Sequence, residues 1–183
     1  MPSEKLLISP SPFYPLPKRN LPMKSFFTAA IGLILLLLYG CSEALVNKDL
    51  KDNKAETSVE SAFLVKNGSR PKVVTTTSGL QYIVLKQGNG IKPSLSSKVV
   101  THYQGEFIDG TVFDSSRQRG APATFPVTGV IKGWTEALQL MNEGSHWRLF
   151  IPSELAYGAA GAGGGRIPPN ATLIFDIELL EVK

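Results

Sequence analysis

Cysteine is nearly absent from this chain of 183 residues: there is one, Cys41. An intramolecular disulfide framework and a cysteine-rich zinc module are both excluded. Two histidines, His102 and His146, leave little material for a metal site, and none is expected. Charge of one sign is also scarce once it is located. The formal net charge is +4. Lys5, Lys18, Arg19 and Lys24 against Glu4 give +3 in residues 1–40, so the remainder carries only +1 (15 basic against 14 acidic residues). A nucleic-acid partner needs a basic stripe on the folded part, and no nucleic-acid partner is expected. What is abundant is Gly (17) and Pro (13), which points to turns and loops rather than a helix bundle.

One long hydrophobic run exists. Residues 1–22 are Pro- and Ser-rich without helical or strand period. Met23 to Cys41 (MKSFFTAAIGLILLLLYGC) then has a basic start at Lys24 and 14 uncharged residues from Phe26 to Tyr39. A signal-peptide core runs about 7–15 residues and a spanning helix about 20. Length therefore favours a cleaved signal over an uncleaved anchor. Met23 offers a second start that would make residues 1–22 unnecessary. Leu38-Tyr39-Gly40-Cys41 resembles a bacterial lipobox, although Tyr39 is larger than usual there. That resemblance implies lipidation at Cys41, attachment to a membrane, and, with Ser42 following, the outer membrane of a bacterial envelope. Two acyl chains are about what stable anchoring takes.

Residues 41–74 read as a polar tether. A short helix around Asp49–Val65 could form within it, and a dimerisation helix is the alternative. The apolar positions (Leu50, Val59, Ala62, Phe63, Val65) do not sustain heptads, which favours the tether.

Residues 75–183 read as one α+β domain. Leu80–Leu85 and Lys98–Tyr103 are strand candidates rich in apolar and β-branched residues. Asp109-Gly110 predicts a hairpin between Glu106–Ile108 and Thr111–Phe113. Phe125-Pro126-Val127 reads as a short edge segment, because proline is confined to edges. Ile131, Trp134, Leu138 and Met141 recur at helical spacing, with Asn142-Glu143-Gly144 as the stop. Trp147–Ile151 and Thr172–Glu181 complete an antiparallel sheet whose concave face takes the helix. His102 is expected on the opposite face from Tyr103, and His146 in an exposed place beside a turn.

Five segments in order and spacing carry a resemblance that spans residues 79–183. They are Tyr103-Gln104-Gly105, Asp109 to Ser116, Val130 to Trp134, Leu155 to Gly158 and Ile167 to Phe175. The domain resembles the FKBP-type peptidyl-prolyl isomerases, and with the lipobox ahead of it the macrophage infectivity potentiator branch. The resemblance implies an antiparallel sheet wrapped around one short helix. It also implies a prolyl isomerase of Xaa-Pro segments in unfolded or exported proteins, needing no cofactor and inhibited by FK506-type macrolides. It implies Trp134 as the pocket floor, with Tyr103, Phe113, Val130, Ile131, Ile167 and Phe175 as substrate-binding walls. Tyr157, the Ile131 N–H and Asp114 are the implied catalytic groups. Packing and turn formation are the plainer readings of the aromatics and of Asp114, and Arg117 or Arg119 is expected to orient that carboxylate. Long members of the branch carry a dimerisation region that the 33 residues between Cys41 and Thr75 do not match. Arg166 and Ala123 replace apolar and aromatic residues of relatives, implying a shallower, more polar rim.

Gly158 to Gly165 is not a phosphate loop, since no Gly-Lys-Ser/Thr and no helix context follow. A chaperone that merely holds unfolded chains in the same cleft is the competing function. Adhesion to a host is a third, for which no residue speaks.

Overall fold

The computed structural model describes residues 58–183. The signal segment, Cys41 and residues 42–57 of the expected tether lie outside the described residues. Among the described residues no helix is long and apolar enough to cross a membrane.

The first element, α1, is helical over residues 58–68, inside the stretch expected to be a tether. Seven strands follow: β1 (Val74–Thr75), β2 (Gln81–Lys86), β3 (Lys98–Glu106), β4 (Val112–Ser115), β5 (Ala123–Pro126), β6 (His146–Ile151) and β7 (Leu173–Val182), with α2 (Lys132–Leu140) between β5 and β6. The sheet order is β1-β2-β6-β7-β3-β4, and β5 shares the outer edge of β3 with β4. Every pairing is antiparallel.

The period-2 pattern of β3 sets the two faces of the sheet. Val99, Thr101, Tyr103 and Gly105 point into the core. His102 points outward, where its Nδ1 lies 3.1 Å from the Ser116 hydroxyl. Across that outer face β7 carries Asp176 and Glu178. His146 does follow the turn closed by the Ser145 N–H on the Asn142 carbonyl, but it is half-buried rather than exposed, opening β6 opposite Glu178 and paired with Asp176. Strand pairing claims it because the bulge between Val84 and Lys86 lets Lys86 match it.

Helix α2 buries Gly133, Trp134, Ala137 and Leu138 against the inner face. Leu138, Met141, Leu149, Ile151, Leu173, Ile177 and Leu179 are wholly inaccessible. Each such side chain contributes about 1.5–3 kcal/mol on burial. Helix and sheet approach closely because position 133 lacks a side chain. A Cβ there would lie 2.5 Å from Ile151 Cγ2.

The predicted hairpin forms with shorter strands. β3 stops at Glu106 and β4 starts at Val112. Asp109 takes the intervening residues into a turn: its Oδ1 accepts from the Thr111 N–H at 2.8 Å, and Gly110 has φ +87°. That local bond competes with further ladder pairing.

Helix α1 is docked rather than free. Phe63 packs on Phe150 with centroids 6.1 Å apart. Buried Asn67 donates to Gln81 Oε1 at 2.8 Å, Gln81 Nε2 donates back to the Leu64 carbonyl at 2.9 Å, and Glu60 accepts from the Thr172 N–H at 3.0 Å.

Candidate active site

Alternation brings Tyr103 inward from β3, Phe113 and Asp114 come from β4, Phe125 from β5, and Phe175 from β7. The turn before α2 supplies Gly129, Val130 and Ile131, its first helical turn supplies Trp134, and the loop after β6 supplies Tyr157. Together they line a cavity of about 200 Å³.

Trp134 is the floor. Tyr103, Phe125 and Phe175 meet its ring nearly edge-on, at 5.3, 5.7 and 5.2 Å and interplanar angles of 84°, 84° and 87°. Phe113 stands edge-on to Phe175 at 5.6 Å. Such T-shaped contacts are favoured by the ring quadrupoles and fix each wall against its neighbour. Gly105 makes room for two of them. A Cβ there would lie 2.6 Å from Phe113 Cζ and 2.7 Å from Phe175 Cε1.

The rim is polar on one side. Tyr103 Oη donates to Asp114 Oδ2 at 2.6 Å and accepts from Arg119 Nη2 at 2.7 Å. Arg119 also pairs with Asp114 Oδ1, and its guanidinium carbon lies 5.4 Å from the Tyr103 ring centroid. Burial, then the hydrogen bond to Asp114, pushes the Tyr103 phenol up to about 12. Tyr103 is thus a neutral donor at any physiological pH. Of the two arginines expected beside Asp114, Arg119 takes the place. Arg117 pairs with Glu178 at 2.8 Å instead.

Besides the buried Trp134 indole N–H, two further donors at the cavity are unspent. Nothing among the described residues accepts from the Tyr157 hydroxyl or from the Ile131 N–H. Burial, then the charge of Asp114, raises the Tyr157 phenol above its ordinary value, so it too keeps its proton. Ile131 is also the N-cap of α2 and offers no capping oxygen. A Ser or Asp there would stabilise the helix by about 1 kcal/mol. An apolar residue at a cap position is the kind of local rule broken at a functional site.

Of the residues expected from sequence, Tyr103, Phe113, Asp114, Val130, Ile131, Trp134, Tyr157 and Phe175 line this cavity. Ile167 does not. It is 9% exposed and packs with the core, its backbone exchanging hydrogen bonds with Ala162 at 3.0 and 3.1 Å. The glycine-rich loop folds back on itself there, and Ile167 joins the core cluster that contains Tyr103, Trp134 and Phe175. Phe125 and Gly129 were not anticipated. The signal for Phe125 was its place between exposed Thr124 and Pro126, an inward position on an edge strand.

Comparison with known proteins meets this geometry. The profile described as FKBP-type peptidyl-prolyl cis-trans isomerase matches residues 89–180, and that of the domain amino-terminal to it matches residues 33–84. The chain belongs to the FKBP-type peptidyl-prolyl isomerase family. It is 53% identical over 137 residues to the outer membrane protein MIP of Legionella longbeachae, covering 75% of this chain and 57% of that protein. It is 56% identical over 120 residues to the FKBP-type 22 kDa isomerase of Escherichia coli, covering 66% and 58%. The crystal structure of FkpA from Escherichia coli superposes with a TM-score of 0.68 at 41% identity, over 85% of this chain and 74% of that one. Within the FKBP-type family these names place the chain in the macrophage infectivity potentiator branch. The chain spans little more than half the length of the first two relatives.

Proposed function

We propose that this chain is a peptidyl-prolyl cis-trans isomerase that assists the folding of exported proteins in a bacterial envelope. The observation that carries the reading is an apolar cavity, floored by Trp134, with the unspent Tyr157 hydroxyl and Ile131 N–H beside it. An Xaa-Pro bond rotates over a barrier of about 18–20 kcal/mol because of its partial double-bond character. Each tenfold acceleration requires about 1.4 kcal/mol of selective stabilisation. No bond is broken, so no nucleophile is needed.

Twisting the amide removes resonance and makes it less dipolar. A water-poor aromatic cavity then favours the twisted form over the planar one. The prolyl ring sits on Trp134 between Tyr103, Phe113 and Phe175. The Ile131 N–H and the Tyr157 hydroxyl hold carbonyl oxygens of the substrate while the ring turns. Asp114, neutralised by Arg119, fixes Tyr103 rather than moving a proton. Val130 closes the wall, and Ile167 acts only by bracing the loop above.

The names of the relatives, one of them an outer membrane protein, support the envelope location. We extend it to a lipid anchor at Cys41, a signal in residues 1–40, and FK506-type macrolides as inhibitors. The experiment is cis-to-trans isomerisation of an Xaa-Pro peptide by the purified chain, with and without such a macrolide. Macrolide-sensitive acceleration supports the reading. A folded protein that binds unfolded chains without accelerating isomerisation rejects it in favour of a holding chaperone. Mass spectrometry of the amino-terminal peptide tests Cys41, where an unmodified thiol rejects the anchor.

A further inference from the structure

Arg166 is the one charged residue between Tyr157 and Leu173. The loop that carries it is built from glycines with positive φ at 158, 161, 163, 164 and 165. Its hydrogen bonds are internal, Ala162 with Ile167 and Asn170 with Gly158. Among the described residues, the loop's one side-chain hydrogen bond reaches outside it. Arg166 Nη2 donates to the Phe113 carbonyl at 3.2 Å. Phe113 is a wall of the cavity and precedes Asp114, so this contact crosses the rim.

The charge balance there is uneven. Both oxygens of Asp114 are engaged, one by Arg119 and one by the Tyr103 hydroxyl. Arg119 and Asp114 cancel. Arg166 pairs with no carboxylate among the described residues. The rim therefore carries one uncompensated, exposed guanidinium, with four of its five N–H groups unused. A carboxylate binds guanidinium more strongly than a neutral carbonyl does.

Resting on the isomerase reading, we propose that Arg166 is a specificity-determining residue that favours proline segments flanked by Asp or Glu. In the free protein Arg166 holds the loop to the Phe113 carbonyl. When an acidic side chain beside the Xaa-Pro bond arrives, the guanidinium exchanges that neutral acceptor for a charged one. The same guanidinium repels a flanking Lys or Arg.

The test uses the whole chain and protease-free NMR exchange on two peptide series. One places Glu, Gln or Lys immediately before proline, the other immediately after. At low salt one series should show kcat/KM for Glu roughly two- to fivefold above that for Lys, the range of an exposed ion pair. Concentrated salt should erase the ratio. Arg166→Leu should bring it to unity, and Arg166→Glu should invert it. A wild-type ratio of unity in both series, a salt-independent ratio, or a ratio that survives Arg166→Leu overturns the proposal. The salt titration needs only the wild type, so it decides even where the variants fold poorly. Acceleration without charge preference removes this inference alone. No acceleration of any peptide removes the isomerase reading with it.

Discussion

The hydroxyl of Tyr103 stands between opposite charges, donating to Asp114 at 2.6 Å and accepting from Arg119 at 2.7 Å, while its ring meets Trp134 edge-on at 5.3 Å. One side chain thus belongs to both the apolar wall and the polar rim. Anything that moves Asp114 or Arg119 moves the wall.

The phenol supplies a pH test. Its value in the folded protein is about 12, against about 10 in an unfolded chain. Burial and the bond to Asp114 both favour the neutral form. The folded state therefore holds this proton where the unfolded state has lost it. Stability from this group is fully present below pH 10 and declines as pH rises toward 12. Denaturation of wild type and Tyr103→Phe across that window should show the wild-type advantage shrinking. A constant gap would mean that the phenol ionises alike in both states.

Trp134 separates shape from hydrogen bonding. Its indole N–H is buried with no acceptor among the described residues. Trp134→Phe therefore loses ring area but no hydrogen bond, and should retain most of the isomerase activity. Trp134→Ala removes the floor. It should cost about 3–5 kcal/mol of stability and at least about tenfold in kcat/KM, or 1.4 kcal/mol. Equal activities of the Phe and Ala variants in folded samples would show that the floor does not bear on the twisted amide.

Gly105 controls the walls from behind, without itself lining the cavity. Ala at this position must displace Phe113 and Phe175 together, because a Cβ would lie within 2.7 Å of both rings. Overpacking of this kind costs about 1–3 kcal/mol. Since both rings line the cavity, Gly105→Ala should lower macrolide affinity and kcat/KM at temperatures where the variant is fully folded. Unchanged affinity with lowered stability would mean that the rings relax away from the cavity instead.

Much of this arrangement was legible beforehand because it follows from periodicity. Ile131, Trp134 and Leu138 mark a helix, and Tyr103 alternates with His102 across a strand, so their inward faces could be read from the pattern, while the floor and wall roles came only from the family resemblance. Phe125 escaped notice because Pro126 drew attention to the edge, while β5 still turns its one aromatic inward to meet Trp134. The place of Ile167 was not legible from pattern because it depends on a loop closing on itself through Ala162, a non-local backbone event with no side-chain period. The docking of α1 had little apolar signature, since its buried link is the amide pair Asn67 and Gln81.

That amide pair makes α1 part of the fold and yields the last expectation. None of the α1 residues lines the cavity, whereas Asn67 is 2% exposed and Gln81 opens β2 between Thr75 of β1 and Phe150 of β6. Deleting the Asn67 side chain leaves Gln81 Oε1 without its donor in a buried place. The cost of such an orphaned acceptor is about 1–3 kcal/mol. Asn67→Ala should therefore lower the denaturation midpoint while kcat/KM, measured where the protein remains folded, stays at the wild-type value. A chain beginning at Thr75 should lose more stability than Asn67→Ala, because it also surrenders Phe63 on Phe150 and the Glu60 bond to Thr172. Equal midpoints for the full chain and the shortened one would show that α1 rests on the sheet without stabilising it.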